Sequence, residues 1–553
     1  MMNKLSNRHL TLLFLFLALP ALACGIFGDS SIVEPPRNAV VVDVMANKSL
    51  ITWLEPLVAD FNASEIENSD SKPIFVTLNP VEAGQAISQL ADVQENPSIW
   101  IPDSDEWVDI LADQGNANFS QDCVSVAESP LVIGMWRPVA ESLGWPGLPL
   151  GWLDIGSLAA DPNAWAYYSG GDYGNALRLS HAHPGLTGSG TSTLLAVVQA
   201  AQSKTNRVTT DDISQPIVQA SVGAFESAVT SFNPDTASLG RTMSERGPEF
   251  LGAAILYESN IIEQGNSELV AIYPLEGTFM ATHPACINEV SEPNNAEAAA
   301  IFRDFLTSAE AQSAALAAGL RPINPAVPMG PPIVPANGVN AEQPQRIFES
   351  PTADTVYAIQ ELWQSARRPV NLVMLLDTSG SMDGSKIENM KEAAAQFVEQ
   401  MGDEDTISIV EFYTVSDLLV DQAQVGPNRE QIIELIGNME SGGETTLFDA
   451  IGDGSAVVAN SSTPESSNAM IILTDGQDTA STRFSFDDRL ISTATDNDTT
   501  IYTVAYGNDA DEELLATLAA RGQGNFYQGD IASIAAIYEE MSAAFGGSLG
   551  VGR

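Results

Sequence analysis

Basic residues are scarce in this chain: 23 Lys and Arg stand against 72 Asp and Glu over 553 residues, a formal net charge of -49 at pH 7. A field of that sign repels phosphate backbones and anionic headgroups, which argues against nucleic acid or an anionic lipid surface as a partner. The acids are spread along the chain without long runs, so they read as a solvated surface rather than an acidic tail. They keep the chain soluble and raise the local concentration of divalent cations. Histidine is nearly absent, at four residues, and His181 and His183 have no nucleophile pattern beside them. No phosphate loop or zinc motif occurs, and the chain is expected not to be an enzyme. Cysteine is limited to Cys24, Cys123 and Cys286, with no spacing that suggests zinc or redox chemistry. The amino-terminal apolar stretch, Leu10 to Leu19, is too short for a comfortable membrane span.

That stretch reads as an export signal, because Lys4 and Arg8 precede it and small residues lead from it into Cys24. Ala21-Leu-Ala-Cys24 resembles a bacterial lipobox, which implies that Cys24 becomes the lipidated first residue and that the membrane is touched only through this lipid. Ala21 stands where Leu is usual and Pro20 is atypical, so ordinary cleavage at Ala23 and an uncleaved anchor are the alternatives. In each version the rest of the chain lies outside the cytoplasm, at the cell surface or in the periplasm. Cys123 and Cys286 then form one pair in an oxidising compartment, available for a single disulfide; two separate buried thiols are the alternative.

Three short stretches far apart in the sequence, Asp377-Thr-Ser379-Gly-Ser381, Gly442-Gly-Glu-Thr445 and Thr474-Asp475-Gly476, carry the oxygen ligands that one hard divalent cation prefers. Mg²⁺ takes near-octahedral oxygen and keeps several waters, so hydroxyls and a few carboxylates on rigid loop ends suit it. Val370-Asn-Leu-Val-Met-Leu-Leu376 is a nearly continuous apolar run, as a strand buried on both faces should be, and the hydroxyl turn follows at its carboxyl end. Ala469-Met-Ile-Ile-Leu-Thr474 repeats that design and delivers Asp475. Ligands of open α/β sheets bind outside the carboxyl ends of parallel strands, so two such strands can bring Asp377 and Asp475 together. Thr445 is expected at the start of a helix over Leu447 to Val458, and Thr446 is its nearest rival as the ligand.

On these residues, with Ser381-Met-Asp-Gly-Ser-Lys386 completing the first stretch, the carboxyl-terminal part resembles the von Willebrand factor A domain and its metal-ion-dependent adhesion site. The resemblance implies that Ser379, Ser381 and Thr445 bind Mg²⁺ (or Mn²⁺ or Ca²⁺) directly, that Asp377 and Asp475 act mainly through water, and that an open position accepts an Asp or Glu from a partner protein. The elements expected from Arg368 to about Phe545 alternate: the metal turn, a helix over Ile387 to Met401, a strand over Thr406 to Phe412, an edge hairpin through Leu418-Leu-Val420 and a helix over Arg429 to Ile436. That order fits a doubly wound, Rossmann-like sheet with one antiparallel edge strand, and places Glu411 and Ser441 near the metal rim.

The amino-terminal part also alternates strand and helix signals. Val40 to Met45 reads as a buried strand, Leu50 to Asn62 as a helix through Leu54, Leu57, Val58 and Phe61, and Ile74 to Leu78 as a strand, a rhythm that implies a parallel sheet. Met45-Ala-Asn-Lys-Ser-Leu50, Trp100-Ile-Pro-Asp-Ser104 with Glu106-Trp107, Ser129-Pro-Leu-Val132, His183-Pro-Gly-Leu-Thr-Gly-Ser-Gly-Thr-Ser192, Ala254-Ile-Leu-Tyr-Glu258, Tyr273-Pro-Leu-Glu-Gly277 and Gly319-Leu-Arg-Pro322 resemble, in order, the extracellular solute-binding proteins related to molybdate and sulfate binders. The resemblance implies an α/β domain of two lobes, periplasmic-binding-protein-like, with a ligand cleft between them. Ser49, Ser104, Ser189, Thr191 and Tyr257 are the candidate cleft residues. Ser49, Ser104 and the expected flexible loop Gly188-Ser-Gly-Thr191 lie at or before helix starts, where free N–H groups and the helix dipole hold an oxyanion or polar solute. Helix capping is the plainer reading of each.

The expected organisation is therefore a signal with a lipobox at 1–24, a solute-binding-like domain at 38–327, a Pro-rich linker and helix at 328–368, and the A domain at 369–546. The linker, with Pro328, Pro331, Pro332 and Pro335, is expected to be stiff and extended. A helix over Asp354 to Arg367 follows it. The function expected from this arrangement is a lipid-anchored receptor outside the cytoplasm, whose A domain docks a partner's carboxylate through metal; a solute receptor for uptake or sensing is the alternative.

Overall fold

The computed structural model describes residues 35–91, 95–119 and 122–547. The export signal and the lipobox with Cys24 lie outside the described residues. Among the described residues no helix is long and apolar enough to cross a membrane.

In the first lobe, Val40–Ala46 pairs in parallel with Ile74–Pro80 on one side and Ile99–Ile101 on the other. Pro284–Ile287 runs antiparallel to Ile99–Ile101, and Cys123–Ser125 closes that edge. The helix Ile51–Ala63 buries Trp53, Leu54, Leu57, Val58 and Phe61, one apolar face at i, i+3, i+4 spacing. Cys123 stands opposite Cys286 across the edge pair, and the two are joined in a disulfide.

The second lobe is inserted between those two edge strands. Its central strand, Ser129–Trp136, is buried along its whole length and runs antiparallel to Ala253–Tyr257 and Leu269–Ile272. Leu179–Ala182 and Val229–Asn233 extend the sheet in parallel. The helix Gly188–Gln202 is buried on every side through Ala200. The expected flexible loop 188–191 is in fact the first turn of this helix, capped by Thr187 Oγ1, which accepts from Gly190 N at 3.0 Å. Gly190 serves close approach rather than mobility, since a Cβ there would lie 2.2 Å from the Ala182 carbonyl oxygen.

The segment expected as a stiff, extended linker is instead packed against the second lobe. Ile333, Val339 and Phe348 are buried in the second-lobe core, and the Gly338 carbonyl accepts from Ala271 N at 2.8 Å. Three apolar side chains placed among the prolines outweigh the extended backbone preference, and 328–352 runs as a strap on the solute-binding unit. The helix Ala353–Ala366 continues that attachment. Ile359 and Trp363 enter the second-lobe core, while Val356, in its first turn, enters a first-lobe cluster with Trp107.

The carboxyl-terminal sheet has the order Ser416–Gln424, Thr406–Phe412, Val370–Asp377, Ser467–Thr474, Thr500–Tyr506, Gln523–Gly529. All neighbours are parallel except the Ser416–Gln424 edge. Leu372, Met374 and Leu376 face one apolar layer and Val373 and Leu375 the other, which is why this strand carries no alternation. The chain leaves Val370–Asp377 toward one edge and returns on its other side as Ser467–Thr474. Their carboxyl ends are therefore adjacent at the point where the winding reverses.

Candidate functional sites: the hydroxyl cluster and the interlobe cleft

Asp377 ends the central strand and is fully buried. Its Oδ1 accepts from Ser379 N at 2.8 Å and its Oδ2 from Thr474 Oγ1 at 2.5 Å. Ser379 Oγ lies 3.0 Å from Ser381 Oγ, and Ser381 Oγ donates to Asp475 Oδ1 at 2.6 Å. Asp475 Oδ2 pairs with the Lys386 ammonium. Burial pushes Asp377 above the ordinary carboxylate range, against the hydrogen bonds from Thr474 and Ser379.

The second stretch joins through the backbone. Gly442 N donates to Thr378 O at 2.8 Å and Gly380 N to Gly443 O at 3.1 Å. Gly443 has φ +80°, and a Cβ there would meet Thr414 Oγ1 at 2.2 Å, so the turn requires glycine. Thr479 N and Ala480 N donate to Thr445 O at 2.9 and 3.0 Å, which ties the second stretch to the third. A Cβ built on Gly476 would lie 3.7 Å from Thr445 Oγ1 and 3.9 Å from Ser381 Oγ, so both hydroxyls face the same small space beside Asp475. Thr446 Oγ1 instead donates to the Tyr413 carbonyl at 2.9 Å. Ser441 Oγ donates to Asp383 Oδ1 at 3.1 Å.

Ser379, Ser381, Thr445, Asp377 and Asp475 are thus brought to one place, with Ser381 open to solvent and Asp377 and Asp475 fully buried. The donor set fits a hard divalent cation, and a buried aspartate held up by desolvation gains from a nearby positive charge. Among the described residues no group of three or more His, Cys, Asp or Glu is placed to hold a metal. A cation here would rest on hydroxyl oxygen. Lys386 had no role assigned from sequence; the signal for it was its place, one turn beyond Ser381 at the start of the helix Ser385–Gln400.

The cleft residues fare differently. Tyr257 OH donates to Asp103 Oδ2 at 2.6 Å. Ser189 Oγ is 2.6 Å from Thr236 Oγ1, and Thr191 Oγ1 donates to Pro184 O at 2.6 Å, so both hydroxyls are spent inside the second lobe. Ser104 lies beside the Glu106 carboxylate and favours its charged form. Ser49 alone of the five is buried with a free hydroxyl. The expected anion seat at the Gly188–Gln202 helix start is filled by the chain itself, because the Asp103 carboxylate lies against Gly188, where a Cβ would meet Oδ2 at 2.0 Å.

Sequence reading missed the acids of this cleft: Glu82, Asp103 and Glu106, with Asp235 facing Lys48. Burial lifts Asp103 to about 6 and Glu106 to about 7, and burial with the charges of Asp235 and Asp103 lifts Glu82 well above its ordinary range. Raised folded pKa values favour the protonated native state. Their contribution is complete below the unfolded value near 4 and is lost as pH rises through 6 to 7. The solute-binding unit should therefore be more stable and melt higher near pH 5 than near pH 8, with on the order of 1 kcal/mol of that difference from Asp103 alone. Calorimetry across that range checks the sign, and a lower melting temperature near pH 5 would refute it.

The family model of the bacterial extracellular solute-binding proteins matches residues 42–321, just over half of the 553. The chain belongs to that family. In this solute-binding protein a second family model, the von Willebrand factor type A domain, matches residues 371–540, so the hydroxyl cluster lies in an A domain. An uncharacterised protein of Synechocystis is 28% identical over 162 residues, covering 29% of this chain and 37% of that protein. Inter-alpha-trypsin inhibitor heavy chain H3 of Homo sapiens is 27% identical over 164 residues, covering 28% of this chain and 18% of that protein. The chain thus spans only a minor part of the length of either relative. A solved periplasmic thiamin binding protein is 14% identical with a TM-score of 0.44, over 59% of this chain and 96% of its own.

Proposed function

We propose that this solute-binding protein acts outside the cytoplasm, lipid-anchored through Cys24, and that its A domain docks a carboxylate of a protein partner through Mg²⁺ or a similar divalent ion. The supporting observation is the convergence of Ser381, Thr445 and Asp475 on one solvent-open space at the carboxyl ends of adjacent strands. Ser379, Ser381 and Thr445 would hold the ion, with Asp377 and Asp475 orienting them. A cation held largely by neutral hydroxyls keeps much of its charge for an incoming Asp or Glu. Catalysis forms no part of this reading.

The test is Mg²⁺ titration of the full chain, followed by capture of an envelope partner with and without EDTA. Thr445→Ala removes a direct ligand and Asp377→Ala removes the group that orients Ser379. Each is expected to weaken Mg²⁺ by about 10- to 100-fold, the range seen when supporting groups are lost. Unaltered Mg²⁺ affinity in both variants, or capture that survives chelation, would rule the reading out.

The family match and the buried polar residues between the lobes favour a second role, binding of a small solute in the cleft. The two roles are compatible in one chain.

A further inference from the structure

The interlobe cleft is built from strand ends. In the first lobe the turns after Val40–Ala46, Ile74–Pro80 and Ile99–Ile101 deliver Asn47 to Ser49, Glu82 and Asp103. In the second lobe the turns after Leu179–Ala182 and Val229–Asn233 deliver Gly188 and Asp235, and Tyr257 ends its own strand. This is the position at which α/β sheets hold ligands.

The charges there are one-sided. Glu82, Asp103 and Asp235 are all buried, and Asp235 and Asp103 are close enough to act on Glu82 electrostatically. Lys48 faces them and pairs with Asp235 at 3.4 Å. The other nearby basic groups give no free cation: burial keeps His183 and His283 neutral, and Arg321 is held in two hydrogen bonds by Glu258. Three carboxyl groups, with Glu106 a fourth beside Asp103, therefore face one ammonium.

An anion has no seat in this cleft. The helix start that would receive it already has the Asp103 carboxylate against it, since a Cβ on Gly188 would sit 2.0 Å from Asp103 Oδ2. The cleft acids carry unpaired acceptors, beside two unpaired ring groups, Trp107 Nε1 and the His283 imidazole. Glu82 Oε1, Asp103 Oδ1 and Ser49 Oγ are buried without a hydrogen-bond partner, while Glu82 Oε2 accepts from Asn47 Nδ2 at 3.0 Å. Buried unpaired acceptors are costly, and a ligand that brings N–H groups together with positive charge relieves both deficits.

We propose that the cleft binds a small organic cation bearing a primary ammonium group, held by Glu82, Asp103 and Asp235 with Ser49 Oγ as a further acceptor. A quaternary ammonium fits less well, having charge but no N–H. A bare divalent metal fits poorly too, since the described residues place no three acidic groups for one. This inference rests on the amino-terminal domain being a solute binder and is independent of the A-domain metal.

The experiment is calorimetric titration of the full chain, in EDTA, with ethanolamine and putrescine as primary amines, choline as the quaternary control, and sulfate and phosphate as anions. The expected result is saturable binding of a primary amine, weaker binding of choline and none of the anions. Glu82→Gln keeps the volume and the Asn47 contact, and Asp235→Asn keeps a side-chain oxygen to cap its helix. Each should cost at least about 10-fold in amine affinity, because one partner of a buried charge pair is lost, while circular dichroism shows the chain still folded. Binding of sulfate or phosphate overturns the cation assignment but leaves a solute site. Absence of binding by every probe overturns the cation assignment and the solute-binder reading together. Amine binding that both folded variants retain overturns the assignment to these residues.

Discussion

Replacing Trp363 by alanine is expected to remove about 3–5 kcal/mol from the stability of the solute-binding unit, the range for deleting a large buried aromatic ring. Trp363 lies on the helix that precedes the A domain, yet its ring packs edge-on against His183 at 4.7 Å and Phe232 at 5.2 Å, both in the second lobe. Its indole N–H donates to Glu226 Oε2 at 2.9 Å, and Glu226 Oε1 lies 2.9 Å from His181 Nε2, with both of those side chains fully buried. The alanine variant therefore leaves a cavity and also strips a donor from a buried carboxylate. Trp363→Phe separates the two losses: it keeps most of the ring volume and should cost about 1–3 kcal/mol. Denaturant titration of the full chain measures both. A loss below about 1 kcal/mol for alanine would mean that the helix is a detachable spacer.

The same helix ties together two domains that match different family models. Gln360 Nε2 donates to Pro184 O at 3.1 Å, on the turn that enters the Gly188–Gln202 helix. Seven residues on, Arg367 Nη2 donates to Asp405 Oδ2 at 2.8 Å in a pair almost sealed from water. Asp405 Oδ1 accepts from Val370 N at 2.9 Å, which fixes the start of the strand that ends at Asp377. From Ala353 to Asp377 the chain runs from the cleft wall to the hydroxyl cluster as helix, buried ion pair and strand. Arg178 to Gln523, and Arg246 Nη1 to Gly524 O at 3.1 Å, add a second seam between the lobe and the last strand of the A domain.

The A domain was the more legible part of the sequence, and the reason is local. Its metal stretches follow apolar runs directly, so strand, turn and ligand are contiguous: Thr406–Phe412 was expected with the bounds observed, and Leu447 opens its helix where placed. The cleft was less legible because its chemistry is shared between lobes. Nothing beside Asp103 in the sequence says that Gly188 will meet it, and a hydroxyl-rich phrase such as Gly188-Ser-Gly-Thr191 reads as a ligand loop when its oxygens are in fact spent on Thr236 and Pro184. The proline-rich segment misled for a related reason. Prolines set an extended backbone but say nothing about whether Ile333, Val339 and Phe348 find a surface, and they do.

Removing the Cys123–Cys286 bond is the other large stability change expected, and it acts on the unfolded chain. The two cysteines are separated by 163 positions, and between them lies the whole second lobe. Closing a loop of that length restricts the unfolded ensemble by about 5 kcal/mol in the chain-entropy account. The native cost of the bond is small in packing terms, because Cys286 is already buried and Cys123 already stands beside it across the edge pair. The double variant Cys123→Ala with Cys286→Ala is the proper comparison, since a single variant leaves a reactive thiol. Scanning calorimetry should find the solute-binding transition lowered and the A-domain transition held, because the A-domain cores contain neither cysteine. Mg²⁺ titration of the same variant gives the second readout. A solute-binding transition that stays in place would mean that backbone pairing at this edge, rather than the covalent bond, keeps the inserted lobe seated on its base.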